Sequence, residues 1–173
     1  GYCLTKDPYF AKYSSKNFLQ KKINFPFIDL AMKINLNMHN RSIQKISDII
    51  KINKIKKTLI VGISYTADVN DLRNSRAIDL LKFLNKKKLS TSIYDTSIRK
   101  KIILQNKVIN NKVQFKNFEL IILINKNNNM KLNFSYLKKN TFVIDLNRIL
   151  NNDQIVIIKK KNKNLIILGR GDL

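Results

Sequence analysis

The chain has one cysteine and one histidine in 173 residues, and only 11 acidic residues against 34 Lys and Arg. A single cysteine excludes an internal disulfide, so nothing calls for an oxidising compartment. A single histidine excludes a His-based triad or a multi-His metal centre, and with His39 far from Cys3 in sequence a structural zinc site fails on ligand count. Long hydrophobic runs are also missing. The longest, Leu120 to Ile124, is far short of the roughly 18 residues a membrane helix requires. A cytoplasmic chain without a membrane span is expected.

The shortage of acids leaves a formal charge of +23, which by itself raises the prospect of a nucleic-acid partner. The lysines are diffuse, however, and run together with Asn and Ile in KINKIKK, INKNNNMK and IIKKKNKN. A selected basic patch clusters on one element and interleaves aromatics, which these runs do not. Drift of a compositionally biased genome, placing Lys on solvated surfaces, explains them better, and nucleic acid is not the expected partner.

Apolar residues make up 44% of the chain and come in short blocks, as in a globular protein. Asp7-Pro8 reads as an N-cap followed by proline at the first helical position, so the first residues form a loop leading into a helix from Pro8. From Phe27 to about Ile52 apolar residues recur at spacings of three and four, predicting a long amphipathic helix broken near His39-Asn40. After KINKIKK the pattern changes. TLIVGIS, STSIYD, FELIILIN and TFVIDL read as strands, Ser75 to Lys88 as an amphipathic helix, and Met130 to Lys138 as a short helix. QIVIIKK and NLIIL read as further strands or a hairpin. Strands alternating with helices predict an α/β fold with a Rossmann-like parallel sheet. The division expected is 1–52, a loop with helices, and 53–173, the sheet domain.

Two groups could carry chemistry. Cys3 and Asp7 are four residues apart at the mouth of a helix, with Lys6 beside them. A thiolate there would be stabilised and could attack a carbonyl, and a carboxylate could then direct the water that cleaves the thioester. The same residues also fit a small side chain in a capped turn. Asp71 and Arg73 suit either anion binding or a surface ion pair that caps the following helix.

GYCLTKDPYF resembles the active-site segment of the UDP-glucose/GDP-mannose dehydrogenase family, in which Gly-Gly-x-Cys is followed by Lys-Asp or Val-Asp-Pro. INLNM, with Asn35 and Met38, is similar to that family's helix motif. GISYTADVNDLRNS resembles its Gly-Leu-Ala-Tyr-Lys segment with Asp-x-Arg-x-Ser, and FVIDLNRIL its Val-x-Asp-x-Arg-Asn strand. GRGD near the end is similar to its closing Gly-x-Gly-Arg strand. The motifs fall in the family's order and span nearly the whole chain.

The resemblance implies an NAD-dependent 6-dehydrogenase that oxidises the C6 alcohol of a UDP-sugar, a UDP-N-acetylhexosamine such as UDP-N-acetylmannosamine or UDP-glucose, to a uronic acid for polysaccharide biosynthesis. It implies a long helical connector that dimerises, followed by a UDP-binding Rossmann-like domain. It assigns Cys3 and Asp7 to catalysis, Lys6 and Arg73 to the cofactor NAD, and Gly1, Tyr65, Thr66 and Arg148 to the substrate. It also implies that the cofactor domain precedes Cys3, so that the chain is the C-terminal part of a longer enzyme, inactive without the other half. Gly62 stands alone and makes no dinucleotide fingerprint.

Three departures bear on function. Thr66 stands where the family has Lys, Arg76 where it has Pro, and Arg148 one place later than the family's Arg. They keep open a non-catalytic, UDP-sugar-binding remnant, and the charge keeps open a basic nucleic-acid-binding module.

Overall fold

A computed structural model describes residues 3–19, 23–161 and 164–169. The chain divides into two compact units, 1–46 and 47–173, with the division inside a long helix.

In the first unit, α1 (Cys3–Lys6) is one helical turn and α2 (Pro8–Asn17) follows with proline in its first turn. The segment before Pro8 is therefore helical, not the expected loop. Asp7 does not act as an N-cap: its backbone is right-handed helical, and its side chain bonds no α2 amide. The long helix α3 (Pro26–Ile52) runs without the expected break at His39-Asn40. No Gly or Pro stands there to break it, and Asn in a helix interior costs only a few tenths of a kcal/mol. The Ser42 hydroxyl donates to the Met38 carbonyl (3.1 Å) across that same turn. Past its end, Lys54 adopts a left-handed φ of 51°, and Ile55 N–H returns to the Ile50 carbonyl at 3.1 Å, a C-terminal stop of the Schellman type.

The second unit is the α/β domain. Its strands are β1 (Lys57–Val61), β2 (Ser90–Tyr94), β3 (Ile102–Ile103), β4 (Asn106–Ile109), β5 (Leu120–Leu123), β6 (Phe142–Asp145) and β7 (Leu165–Ile167), with α4 (Arg76–Lys86) and α5 (Asn152–Lys161). They form a seven-stranded sheet in the order β3-β4-β2-β1-β5-β6-β7. Every pairing is parallel except β3 with β4. The central strands are buried on both faces, with Leu59, Ile60, Val61, Ile121, Ile122 and Leu123 all fully inaccessible, which is why they read as continuous apolar runs rather than alternating ones.

Two expected elements differ. The residues from Met130 to Lys138 form no helix. Met130, Leu132 and Phe134 are buried while Lys131 and Asn133 are exposed, an alternation of period two that belongs to extended chain. QIVIIKK is helical, within α5. Asn151 and Gln154 cap each other's backbone, with Gln154 N–H to Asn151 Oδ1 at 2.8 Å and Asn151 N–H to Gln154 Oε1 at 3.1 Å. This reciprocal box starts a helix despite the β-branched residues after it. NLIIL then returns as β7 parallel to β6, which needs a crossover and excludes a hairpin.

The chain leaves β1 for β2 on one side and later reaches β5 on β1's other side. The strand order therefore reverses at β1/β5, and in open α/β sheets ligands bind beyond the carboxyl ends of the strands at such a point.

Candidate functional site

The loop 62–75, which follows β1, opens at that reversal. Gly62 has φ +79°, and a Cβ on it would lie 2.6 Å from the Asn125 Cα in the loop after β5. Only glycine allows the two loops to approach this closely. Beyond it, Asp95 at the end of β2 is fully buried and accepts the N–H groups of Ile63 (2.8 Å), Ser64 (3.1 Å) and Ser97 (3.0 Å) and the amide of Asn127 (2.5 Å). The buried Asn127 accepts Asp68 N–H at 3.0 Å, and Asp68 in turn accepts Asn128 N–H at 2.9 Å. The loop is thus held at its root and middle by the ends of β2 and β5.

This fixed loop presents Tyr65, Thr66 and Arg73. Tyr65 N–H bonds the Asp71 carbonyl at 2.8 Å. The Asp71 carboxylate receives Arg73 through Nε (3.0 Å), Nη2 (2.7 Å) and its backbone N–H (2.9 Å). The Arg73 side chain and then its backbone N–H push Asp71 down to about 2, and Asp71 raises Arg73 in return. The ion pair, one of the two readings left open by the sequence, is present. It engages one edge of the guanidinium, and with the Arg73 side chain 86% exposed, the other edge is available to an anion. Thr66 is exposed and brings no cation. Ser75 caps α4, accepting Ala77 N–H at 3.2 Å and donating to the Ile63 carbonyl at 2.7 Å.

Arg148 lies in the loop after β6, with φ 56°, and its guanidinium donates to the Gly169 carbonyl. Asn147, which stands in the family's Arg position, donates to the Ile124 carbonyl at 2.7 Å. The buried Asp145 shapes this loop by accepting the N–H groups of Asn147, Ile149 and Leu150 at 3.0–3.1 Å.

Cys3, Lys6 and Asp7 belong to the first unit. Asp7 N–H bonds the Cys3 carbonyl at 2.9 Å, so the two side chains leave the same face of one turn. The Lys6 ammonium stands 2.5 Å from the Asp7 carboxylate. Chiefly through that bond, and to a smaller degree through one with Cys3, Asp7 is lowered below its ordinary value. Cys3 is exposed and not disulfide-bonded. Gly1, and Arg170 to Asp172 of the GRGD match, lie outside the described residues.

The second unit does not fit NAD in the manner of a dinucleotide cradle. The turn after β1 has a single glycine, and Asn125 packs against it. Asp95, in the position where such folds offer a ribose-binding acid, is inaccessible and fully engaged. Among the described residues no group of three or more His, Cys, Asp or Glu could hold a metal ion, and no helix is long and apolar enough to cross a membrane. Sequence reasoning did not single out Asp95, Asn127 or Asp68, and met Asp145 only as part of the FVIDLNRIL motif. An Asp directly after an apolar strand, as in SIYD and FVID, was the available signal.

Residues 59–152, more than half of the chain, match the UDP-glucose/GDP-mannose dehydrogenase family, UDP binding domain. A UDP-N-acetyl-D-mannosamine dehydrogenase of Campylobacter jejuni is 35% identical over 81 residues, 47% of this chain and 18% of its own length. One of the same name from Methanocaldococcus jannaschii is 26% identical over 99% of this chain and 38% of its own length. The chain therefore spans less than two-fifths of either relative. Among solved structures, the NDP-N-acetyl-D-galactosaminuronic acid dehydrogenase of Methanosarcina mazei Go1 has the same fold, with a TM-score of 0.74 at 19% identity over 98% of this chain and 38% of its own. UDP-D-ManNAc dehydrogenase of Pyrococcus horikoshii gives 0.68 at 19% over 100% of this chain and 39% of its own. The chain belongs to the UDP-glucose/GDP-mannose dehydrogenase family, and its sheet domain is that family's UDP-binding domain.

Proposed function

We propose that the chain is the C-terminal part of an NAD-dependent nucleotide-sugar 6-dehydrogenase, acting on a UDP-N-acetylhexosamine, with Cys3 as nucleophile. The observation that carries this reading is the single helical turn that sets an exposed Cys3 beside the Asp7 carboxylate, in a chain whose sheet domain belongs to a UDP-binding family.

On this reading the C6 alcohol first loses a hydride and its hydroxyl proton to give the aldehyde. Cys3 Sγ then adds to the aldehyde carbon, and the carbonyl oxygen takes the thiol proton to become the hydroxyl of a thiohemiacetal. Loss of a hydride from that carbon, with the hydroxyl proton passing to solvent, gives the thioester. Asp7 then takes a proton from water as it attacks, and Cys3 leaves as thiolate with the carboxylate product. NAD, held by another domain, is the family's hydride acceptor. Lys6 keeps Asp7 ionised for its role as base, and Arg73 offers its outer edge to the cofactor's phosphates. Within the sheet domain, Tyr65, Thr66 and Arg148 are the residues assigned to the nucleotide sugar. The first unit exposes Phe10, Phe18, Phe27, Leu30, Ile34 and Met38, each more than half accessible. So much apolar surface implies a covering partner, which we assign to a second copy of the chain and to the cofactor domain.

The test joins this chain to the cofactor domain of the Methanocaldococcus relative. Cys3→Ser should abolish uronic acid formation, and Asp7→Asn should let acylated Cys3 accumulate, visible by mass spectrometry. Turnover that survives Cys3→Ser would overturn the mechanism. Thr66 favours a second reading, a UDP-sugar-binding remnant, because no cation stands at its position. Thr66→Lys should then tighten UDP binding about fivefold or more. Binding of nucleic acid that falls steeply with salt, with no saturable UDP site, would point to the basic module instead.

A further inference from the structure

A cavity of about 970 Å³ lies in the second unit, and none of Tyr65, Thr66, Arg73 or Arg148 lines it. Its size is at the upper end of the range of about 300–1,000 Å³ common for small-molecule sites. Three segments bound it: the end of β2, the stretch after β4, and the extended chain after β5 that replaces the expected helix. It opens beyond the carboxyl ends of strands, where ligands of parallel sheets bind.

Its lining has a consistent chemistry. Tyr94 and Phe115 form a buried aromatic wall, edge to face with ring centres 6.3 Å apart, while Tyr136 is 75% exposed at the rim. Lys112, Lys116 and Lys131 supply three cations, and no acid lines the cavity. Asn110, Gln114, Asn129 and Asn133 supply amides, each with both a donor and an acceptor. The Thr96 hydroxyl also lines the cavity, and it is buried without a hydrogen-bond partner. A ligand hydroxyl or carbonyl that reached it would supply the missing partner. Lys131 N–H is fixed to the Tyr94 hydroxyl at 3.1 Å, so that strand is anchored to the aromatic wall.

We infer that this cavity is a second nucleotide site, taking a free nucleoside phosphate independently of the UDP-sugar loop. The exposed Tyr136 ring can stack on any base and amides pair with any base edge, so the cavity does not select a particular base. The lysines receive the phosphates, and a volume of this size holds one nucleotide.

ADP is the probe, because UDP is assigned to the other loop. Titrated into the 173-residue chain, ADP should bind with Kd below about 1 mM. Tyr136→Ala and the pair Lys112→Glu with Lys116→Glu, all at exposed positions that leave the fold intact, should each weaken it about tenfold or more. Thr96→Val should weaken it less, and Tyr65→Ala should not affect it. The proposal is overturned if ADP fails to bind, if inorganic phosphate binds as tightly, or if the variants have no effect. A short single-stranded oligonucleotide that binds more tightly than ADP, with the same sensitivity to the variants, would overturn it too and assign the cavity to nucleic acid.

Discussion

Asp95 and Gly62 do for the loop 62–75 what no residue within the loop could do. Asp95 gathers two of its N–H groups and, through Asn127, reaches a third at Asp68. Gly62 lets Asn125 close against the loop's root. Gly62→Ala would combine a positive φ with a backbone collision, and should cost about 3 kcal/mol or more. A urea unfolding midpoint close to that of the parent protein would show that the two loops can separate at little cost. Asp71 and Arg73 were legible as a pair from sequence, because residues two apart in a turn are neighbours whatever the fold. Asp95 and Asn127 were not, since 32 residues separate them.

At the scale of elements, local signals succeeded where they were the deciding ones. Proline in the first turn of α2, the amphipathic pattern over α4 and the apolar runs of β1, β5 and β6 all led to the right structures. The misreadings came where weak propensity competed with something stronger. In α5 the reciprocal Asn151–Gln154 box outweighs a β-branched run, so Asn151→Ala should lower stability by about 1 kcal/mol, read as a shift in the urea midpoint with an unchanged slope. No shift would mean that burial of Ile158 alone specifies the helix. After β5 the opposite happened. Met130, Leu132, Phe134 and Leu137 can be read with either period, and packing against the sheet's apolar cluster selects the extended one.

For the whole molecule, a charge of +23 makes its few carboxylates disproportionately important. Asp71 titrates at about 2 instead of 3.8 because Arg73 binds it. Glu119 is lowered by the N–H groups of Lys56 and Lys57, at 2.6 and 3.0 Å. A carboxylate lowered by folding contributes stability above its unfolded value and loses it as pH falls through the folded one. The thermal midpoint should therefore stay level down to about pH 5 and then fall, as protonation also deepens the positive self-repulsion. Asp71→Asn with Glu119→Gln should be less stable at neutral pH and lose less on acidification. An equally steep acid fall in that variant would place the sensitivity in other carboxylates.

Periodicity and motif order are local properties that can be read along the chain, and they suffice for the α/β class, the position of the long helix, the parallel sheet and the family. Tertiary structure decided the rest. It placed the strand reversal at β1/β5, joined Asp95 to Asn127, turned the Arg148 guanidinium to Gly169, and left a cavity where an extended segment took the place of a helix. These features rest on contacts between residues distant in sequence, and such contacts form only when the sheet brings the strand ends together.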